Sequence, residues 1–357
     1  MNVDPTGVLA ALGWDDAWAA EAGELGADGV GRVSRVDRGV CTVIAEGGTT
    51  RASLGGEVLD AMAHDATTAP CTGDWVTLRH WPDDRTTAEA VLTRRSSIVR
   101  ADPAPDSKGQ VLASNLTHAG IVTGLDQVPA MTKLERLLAV AWQSGAAPLV
   151  MLTKSDIATD ADDVAADVAA AAPGTEVLTC SSVTGEGLDD LRELLGSGTT
   201  LALLGSSGAG KSSLVNALVG ADVLTTKQIR SDGRGRHTSV RRELVPLPGG
   251  GAIIDTPGLR GIGLFDAEEG LAATFADIEE LAERCRFGDC RHETEPDCAV
   301  LAGVESGTLP ARRLESWRKL QREQAWMAAR KDARLRAEQL KVWKQRTKAS
   351  RSAAKRR

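Results

Sequence analysis

Tyrosine is absent from this 357-residue sequence, and phenylalanine occurs only three times. Between Asp28 and Arg100 the aromatic interleaving that marks base stacking is missing, so any nucleic-acid contact there rests on charge. No apolar run approaches the length of a membrane span. The N-terminus, MNVDPTGVLAALGWDDAW, is acidic and lacks the basic region of a signal peptide. Both absences lead to the expectation of a cytoplasmic protein with no membrane partner. No internal repeat is present. Cysteine is sparse, and three of the six, Cys41, Cys71 and Cys180, are scattered with nothing to mark them as reactive. The other three, Cys285, Cys290 and Cys298, cluster around His292, which in a cytoplasmic chain reads as a metal site before it reads as disulfides.

Hydrophobic content of 42% and charged content of 25% are ordinary for a globular protein, and the length suggests about two or three domains. The net charge of −7 conceals an asymmetry. From Pro310 to the C-terminus there are 17 Lys/Arg against four Asp/Glu, a net of +13, leaving 25 against 45, a net of −20, in the remainder. An acidic body with a basic tail suggests a polyanionic partner at one end.

The chain is organised around LALLGSSGAGKSSLVNALV, residues 201–219. Leu201 to Leu204 reads as a buried parallel strand. Gly205-Ser206-Ser207-Gly208-Ala209-Gly210-Lys211-Ser212 fits G-x-x-x-x-G-K-[ST], with Ser213 the next residue of the candidate binding set. Leu214 with Leu218 and Val215 with Val219 mark a helix. Strand, glycine loop and helix form the context of a phosphate-binding loop. Glycines let backbone N–H groups turn onto phosphate oxygens, and the helix N-terminus adds positive charge. Lys211 supplies a full charge, and Ser212 can ligate Mg²⁺.

In chain order, residues 1–27 read as a short helical leader whose Leu9, Leu12 and Trp14–Trp18 pair cap some neighbouring surface. Residues 28–100 hold about five short strands, with Gly47-Gly48 as a hairpin turn, which suits a small barrel of the oligonucleotide-binding type. Arg32, Arg35, Arg38, Arg79, Arg94, Arg95 and Arg100 are its candidates to meet a nucleic-acid backbone. A linker rich in Pro, Asp, Ser and Gly follows, and then residues 110–266 alternate strand and helix, which implies a parallel sheet covered on both faces. Strands are expected at Ala119–Val122, Pro148–Leu152, Glu176–Thr179, Arg242–Pro246 and Ala252–Asp255. Residues 267–357 hold short helices around the Cys/His cluster and then a basic, helix-prone tail.

Asp255-Thr256-Pro257-Gly258 ends a strand of the same sheet as the phosphate loop. An Asp there supports Mg²⁺ through water, and the Gly258 N–H can sense a γ-phosphate. Thr153-Lys154-Ser155-Asp156 resembles the Asn-Lys-x-Asp signature of guanine-specific GTPases. The Asp156 carboxylate can accept from guanine N1–H and the 2-amino group, and Lys154 would pack its stem along the base. Thr153 replaces the usual Asn, which leaves open the bonds that Asn makes to the phosphate loop. Ser181-Ser182 would offer backbone N–H to guanine O6. These base-reading motifs precede the phosphate loop and DTPG, the reverse of the ordinary order, and the same sheet can be built this way by circular permutation. Cys285-x4-Cys290-x-His292-x5-Cys298 offers three thiolates and an imidazole, suited to a closed, structural, tetrahedral Zn²⁺ site.

A barrel, a permuted GTPase and this zinc spacing, in that order, resemble the ribosome small-subunit-dependent GTPase A family over nearly the whole chain. Gly233-Arg234-Gly235-Arg236-His237-Thr238 is similar to that family's switch segment, as are Gly73-Asp74-Trp75-Val76 and Arg94-Arg95-Ser96 to the family's sequences. The resemblance implies a multidomain protein with an OB-like barrel, a circularly permuted α/β P-loop GTPase and a small zinc-binding α domain with a basic helix. It implies a GTPase that binds the small ribosomal subunit and its rRNA late in assembly and is stimulated by it. A monomer is expected. Ser212 and Thr238 are the candidate Mg²⁺ ligands, and Lys211, Thr238 and His237 the catalytic candidates. Leu259 occupies the position where many GTPases carry a water-orienting Gln, so turnover in isolation should be slow. Either His237 or one of Arg234 and Arg236 would then complete the site on docking. The competing expectation is a zinc-bearing rRNA-binding scaffold whose nucleotide site is mainly structural.

Overall fold

The structure is a computed structural model, described here for residues 7–100, 109–224, 242–256 and 267–331. Two short helices, α1 (Val8–Ala11) and α2 (Asp16–Glu24), come first. The Asp15 carboxylate caps α2 by accepting from the amides of Ala17 and Trp18. There follow β1 (Gly29–Asp37), β2 (Val40–Ala45), β3 (Gly48–Leu54), α3 (Gly56–His64), β4 (Trp75–His80) and β5 (Thr86–Val91). The five strands close a barrel in the order β1-β2-β3-β5-β4, with β3 and β5 the parallel pair. Alternate residues fill it: Val33, Cys41, Val43, Ala52, Val76, Leu78 and Ala88 form its core.

Trp14 and Trp18 of the leader pack against Trp75 at the start of β4, with ring centroids 4.8 and 5.7 Å away. The surface they cap is thus the barrel. Arg32 corrects one expectation. It is 1% exposed, stacks over Trp75, and donates to the carbonyls of Leu12, Gly73 and Asn115. It therefore clamps three segments together and faces no nucleic acid. Arg94 is likewise turned inward, bonded to both oxygens of the buried Asp74 carboxylate at 2.7 Å.

β6 (Ser97–Arg100) leaves the barrel to pair with β7 (Gln110–Ser114), a strand with no clear signal in the sequence. Next come β8 (His118–Gly124), α4 (Met131–Gln143), β9 (Ala147–Thr153), α5 (Ala161–Ala171), β10 (Glu176–Cys180), α6 (Leu188–Leu194), β11 (Thr200–Gly205), α7 (Lys211–Val219), β12 (Glu243–Pro246) and β13 (Ala252–Asp255). The sheet order is β10-β9-β8-β11-β13-β12. All neighbours are parallel except β12, which pairs antiparallel with β13. Only antiparallel pairing allows so short a connection, and β12 is an antiparallel edge strand on the expected parallel sheet. Within the central strands, Val150, Leu152, Ala202, Leu204 and Ile254 face one core, while Leu149, Met151, Leu201, Leu203 and Ile253 face the other. Both faces are covered, which is why these strands read as continuous apolar runs.

The last described elements are α8 (Glu268–Thr274), α9 (Ala276–Ala282), α10 (Ala299–Glu305) and α11 (Ala311–Lys331). They share a core with α4 and the leader. Gly270 in α8 lies so close to α4 that a Cβ would stand 2.1 Å from the Ala139 carbonyl oxygen. The leader also reaches the sheet: the Ala11 carbonyl accepts from the amides of Gly198 and Gly251 at 3.0 and 2.8 Å. Among the described residues no helix is long and apolar enough to cross a membrane.

Candidate nucleotide site and metal centre

Parallel pairing brings the C-terminal ends of β8, β9, β10, β11 and β13 to one edge, and the sequence motifs sit there. The loop 205–210 joins β11 to α7, leaving Lys211 as the first residue of the helix. Gly205, Gly208 and Gly210 have φ of +151°, +85° and +89°, conformations that L side chains rarely adopt. At Gly205 a Cβ would also meet the Val122 carbonyl oxygen at 2.4 Å. Ser206, Ser207 and Gly208 are exposed, Ala209 is buried, and Ser212 and Ser213 are half-buried. The exposed backbone amides and the N-terminus of α7 are suited to an anion.

Lys211 is buried, and its Nζ donates to the carbonyls of Gly205 and Ser206 at 3.0 and 2.8 Å. Burial pushes its pKa down, and the nearby Asp255 opposes this. Asp255 ends β13, and burial pushes its carboxyl up. Ser212 Oγ donates to Asp255 Oδ2 at 3.5 Å, while Asp255 Oδ1 is buried with no hydrogen-bond partner. A hydroxyl and an orphaned carboxylate oxygen at a phosphate loop fit a hydrated divalent cation. Gly258, His237 and Thr238 lie outside the described residues, as do Arg234, Arg236 and Leu259.

At the end of β9, Thr153 resolves the question its identity raised. Its Oγ1 donates to the Ala209 carbonyl at 2.7 Å, tying the end of β9 to the phosphate loop. Lys154 adopts a left-handed conformation (φ 64°) and pairs with Asp126 at 2.7 Å. Asp126, after β8, belongs to no recognisable sequence motif. Asp156 accepts from Ser181 Oγ at 2.6 Å, so the segments 153–156 and 181–182 are in contact. Ser182 beside them is exposed. Replacing Thr153 by valine keeps the shape and removes the donor. Nucleotide affinity should fall by about 1 kcal/mol, roughly fivefold, from one lost bond. Titration with a fluorescent GDP measures it; unchanged affinity would show the tie to be dispensable.

The second cluster lies between α9 and α11. Cys285 Sγ and Cys298 Sγ are 3.7 Å apart, and His292 Nδ1 lies 3.6 and 3.4 Å from them. With Cys290, the four ligand atoms all lie within 4.8 Å of one another. Ligands about 2.3 Å from a tetrahedral zinc ion stand about 3.7 Å from each other, so the arrangement fits that ion. His292 and Asp297 hold φ near +55°, at 55° and 56°, as the chain doubles back around the cluster. Cys298 Sγ also caps α10, accepting from the Leu301 amide at 3.5 Å.

Comparison with known proteins agrees with this geometry. Residues 91–265 match the RsgA GTPase family. Relatives from several bacteria carry the name small ribosomal subunit biogenesis GTPase RsgA. The one from Streptomyces coelicolor is 49% identical over 344 residues, covering 95% of this chain and 92% of that protein. The one from Streptomyces avermitilis is 48% identical over 342 residues, covering 94% and 91%. Two solved structures share the fold. YjeQ from Thermotoga maritima has a TM-score of 0.60 at 23% identity, covering 82% of this chain and 96% of that one. YloQ, described as a circularly permuted GTPase, has a TM-score of 0.57 at 24% identity, covering 85% and 96%. With close to half its residues shared along almost its full length, this chain belongs to the RsgA GTPase family of GTP-hydrolysing enzymes.

Proposed function

We propose that the protein hydrolyses GTP as an assembly factor of the small ribosomal subunit, working in the cytoplasm as a monomer and stimulated by that subunit. The observation that carries this reading is the meeting, at one sheet edge, of a phosphate loop with a base-reading pair that precedes it in sequence. The name of the close relatives, small ribosomal subunit biogenesis GTPase, supports the choice of partner. The work divides over a leader (1–27), an OB-like barrel (28–100), the permuted GTPase domain (110–266) and a zinc-binding domain with a basic tail (267–357).

Asp156 selects guanine, since adenine offers an acceptor at N1 and no 2-amino group. Asp126 holds the Lys154 head while its stem lies along the base, and backbone amides at Ser181-Ser182 take guanine O6. The loop amides, Lys211 and the N-terminus of α7 neutralise the phosphates. Ser212 and Thr238 would hold Mg²⁺, with Asp255 supporting it through water. The ion supplies charge neutralisation between the outer phosphates. Gly258 would sense the γ-phosphate. With Leu259 unable to orient water, docking brings His237, or Arg234 or Arg236, to complete the site. Zinc held by Cys285, Cys290, His292 and Cys298 is structural, because four protein ligands leave no open position.

GTP and ATP hydrolysis by the purified protein, with and without small or large ribosomal subunits, tests the reading. A slow rate with GTP alone, raised by small subunits and not by large ones, is expected. A rate indifferent to small subunits would favour the scaffold reading. In the same assay Lys211→Ala should lower kcat/KM by about 100-fold or more.

A further inference from the structure

Helix α4 carries a cation where helices disfavour one. Lys133 lies in its first turn, at the end that already bears partial positive charge. The residue is exposed, and no carboxylate among the described residues forms an ion pair with it. Its Nζ donates instead to Ser206 Oγ in the phosphate loop. Lys211 reaches the carbonyl of the same Ser206, so two ammonium groups converge on one loop residue. Their charges oppose one another: Lys133 adds to the lowering of the Lys211 pKa that burial begins and Asp255 resists.

Two lysines and the N-terminus of α7 therefore meet at one loop, with Asp255 the nearby counter-charge. This convergence is unfavourable alone and favourable around a polyanion. Lys133 also stands on a fixed base. Two residues further on, the buried Glu135 bonds to Arg313 and Ser316 of α11, and Arg136 pairs with Glu323 at 2.5 Å. A cation on so anchored a helix is preorganised, which gives it most effect on charge that grows during a reaction.

We propose that Lys133 is a further substrate-contacting residue, whose ammonium exchanges the Ser206 hydroxyl for the terminal phosphate of GTP. The inference rests on the GTPase reading above. It makes Lys133 the group that tells GTP from GDP from outside the recognised motifs. In hydrolysis, water attacks the γ-phosphorus and the bond to the β–γ bridging oxygen breaks, its electron pair leaving with GDP while the water's protons end on the released inorganic phosphate and solvent. Lys133 stays protonated throughout and stabilises charge on the transferred group.

The competing role is a mere pin that holds the phosphate loop. The two are separated by measuring GTP and GDP affinity and the single-turnover rate for wild type, Lys133→Met and Lys133→Arg. Methionine keeps the stem and removes the charge. With Lys133→Met, GTP affinity and the single-turnover rate should each fall about tenfold while GDP affinity stays within about twofold, and arginine should restore both in large part. An equal loss of both affinities, or no change in the rate and in the GTP-to-GDP ratio, overturns the proposal. Wild-type protein that binds neither nucleotide would defeat the GTPase reading itself.

Discussion

Replacing Arg313 by alanine is expected to destabilise the C-terminal helices by about 3–5 kcal/mol, the usual cost of breaking a buried ion pair. Arg313 is 1% exposed and Glu135 not at all. The guanidinium bonds to Glu135 at 3.2 Å, to Asp277 of α9 at 2.8 Å, and to the carbonyls of Ala171 and Thr274 at 2.9 and 2.7 Å. Burial already pushes the Glu135 carboxyl up, and Ser316, Arg313 and Arg312 offset this. Alanine would leave a buried carboxylate with one partner fewer and two carbonyls unsatisfied. Replacing both residues together, Arg313→Met with Glu135→Met, should recover part of the loss, because the buried Glu135 charge is then gone and the Asp277 carboxylate left behind is partly exposed to water. Denaturant unfolding followed by tryptophan fluorescence, with Trp317 on α11 as the local probe, measures the shift. A single variant within about 0.5 kcal/mol of wild type would mean the network contributes little.

Loss of the metal should act on the same region with a comparable or larger effect. Cys298→Ser removes one thiolate ligand while leaving a hydroxyl suited to cap α10. Structural zinc sites bind with about 10–16 kcal/mol in small peptides, and that energy is folding energy. Purified wild-type protein should hold close to one zinc per chain by elemental analysis, and Cys298→Ser much less. The variant and the chelated wild type should unfold at lower denaturant, most visibly through Trp317, whose ring lies 5.5 Å from His292. Zinc-free protein as stable as the loaded form would refute a structural role.

The features legible in the sequence were those whose chemistry is local. The phosphate loop needs glycines and a lysine in one unbroken stretch, and Cys285 to Cys298 spans a single turn of chain, so spacing alone carries both. The central strands were legible because burial on both faces leaves an apolar run. What was not legible depends on distant segments. Whether Arg32 faces solvent is decided by carbonyls at Leu12, Gly73 and Asn115, which spacing cannot foresee. The same holds for Arg313 and for the tie from Thr153 to Ala209. Helix α3 starts at a glycine, Gly56, with a second glycine as its N-cap, and β6 pairs across the linker instead of within the barrel. Lys133 did leave a signal, a lysine at the wrong end of an amphipathic helix, but only its contact with Ser206 gives that signal a meaning.

The Ala11 carbonyl, made among the first residues, finds its partners at Gly198 and Gly251. A chain synthesised from its N-terminus can close the barrel early and seat the leader's tryptophans on it, yet the Ala11 carbonyl has no partner until Gly198 has emerged and its second only with Gly251. The permuted order has the same effect on ligand capture. β8, β9 and β10 can pair as a unit, exposing the edge that β11 will cover, while the triphosphate end is still unmade. Nucleotide capture thus comes late in the life of the nascent chain, and ligand cannot assist folding until the phosphate loop and Asp255 have left the tunnel.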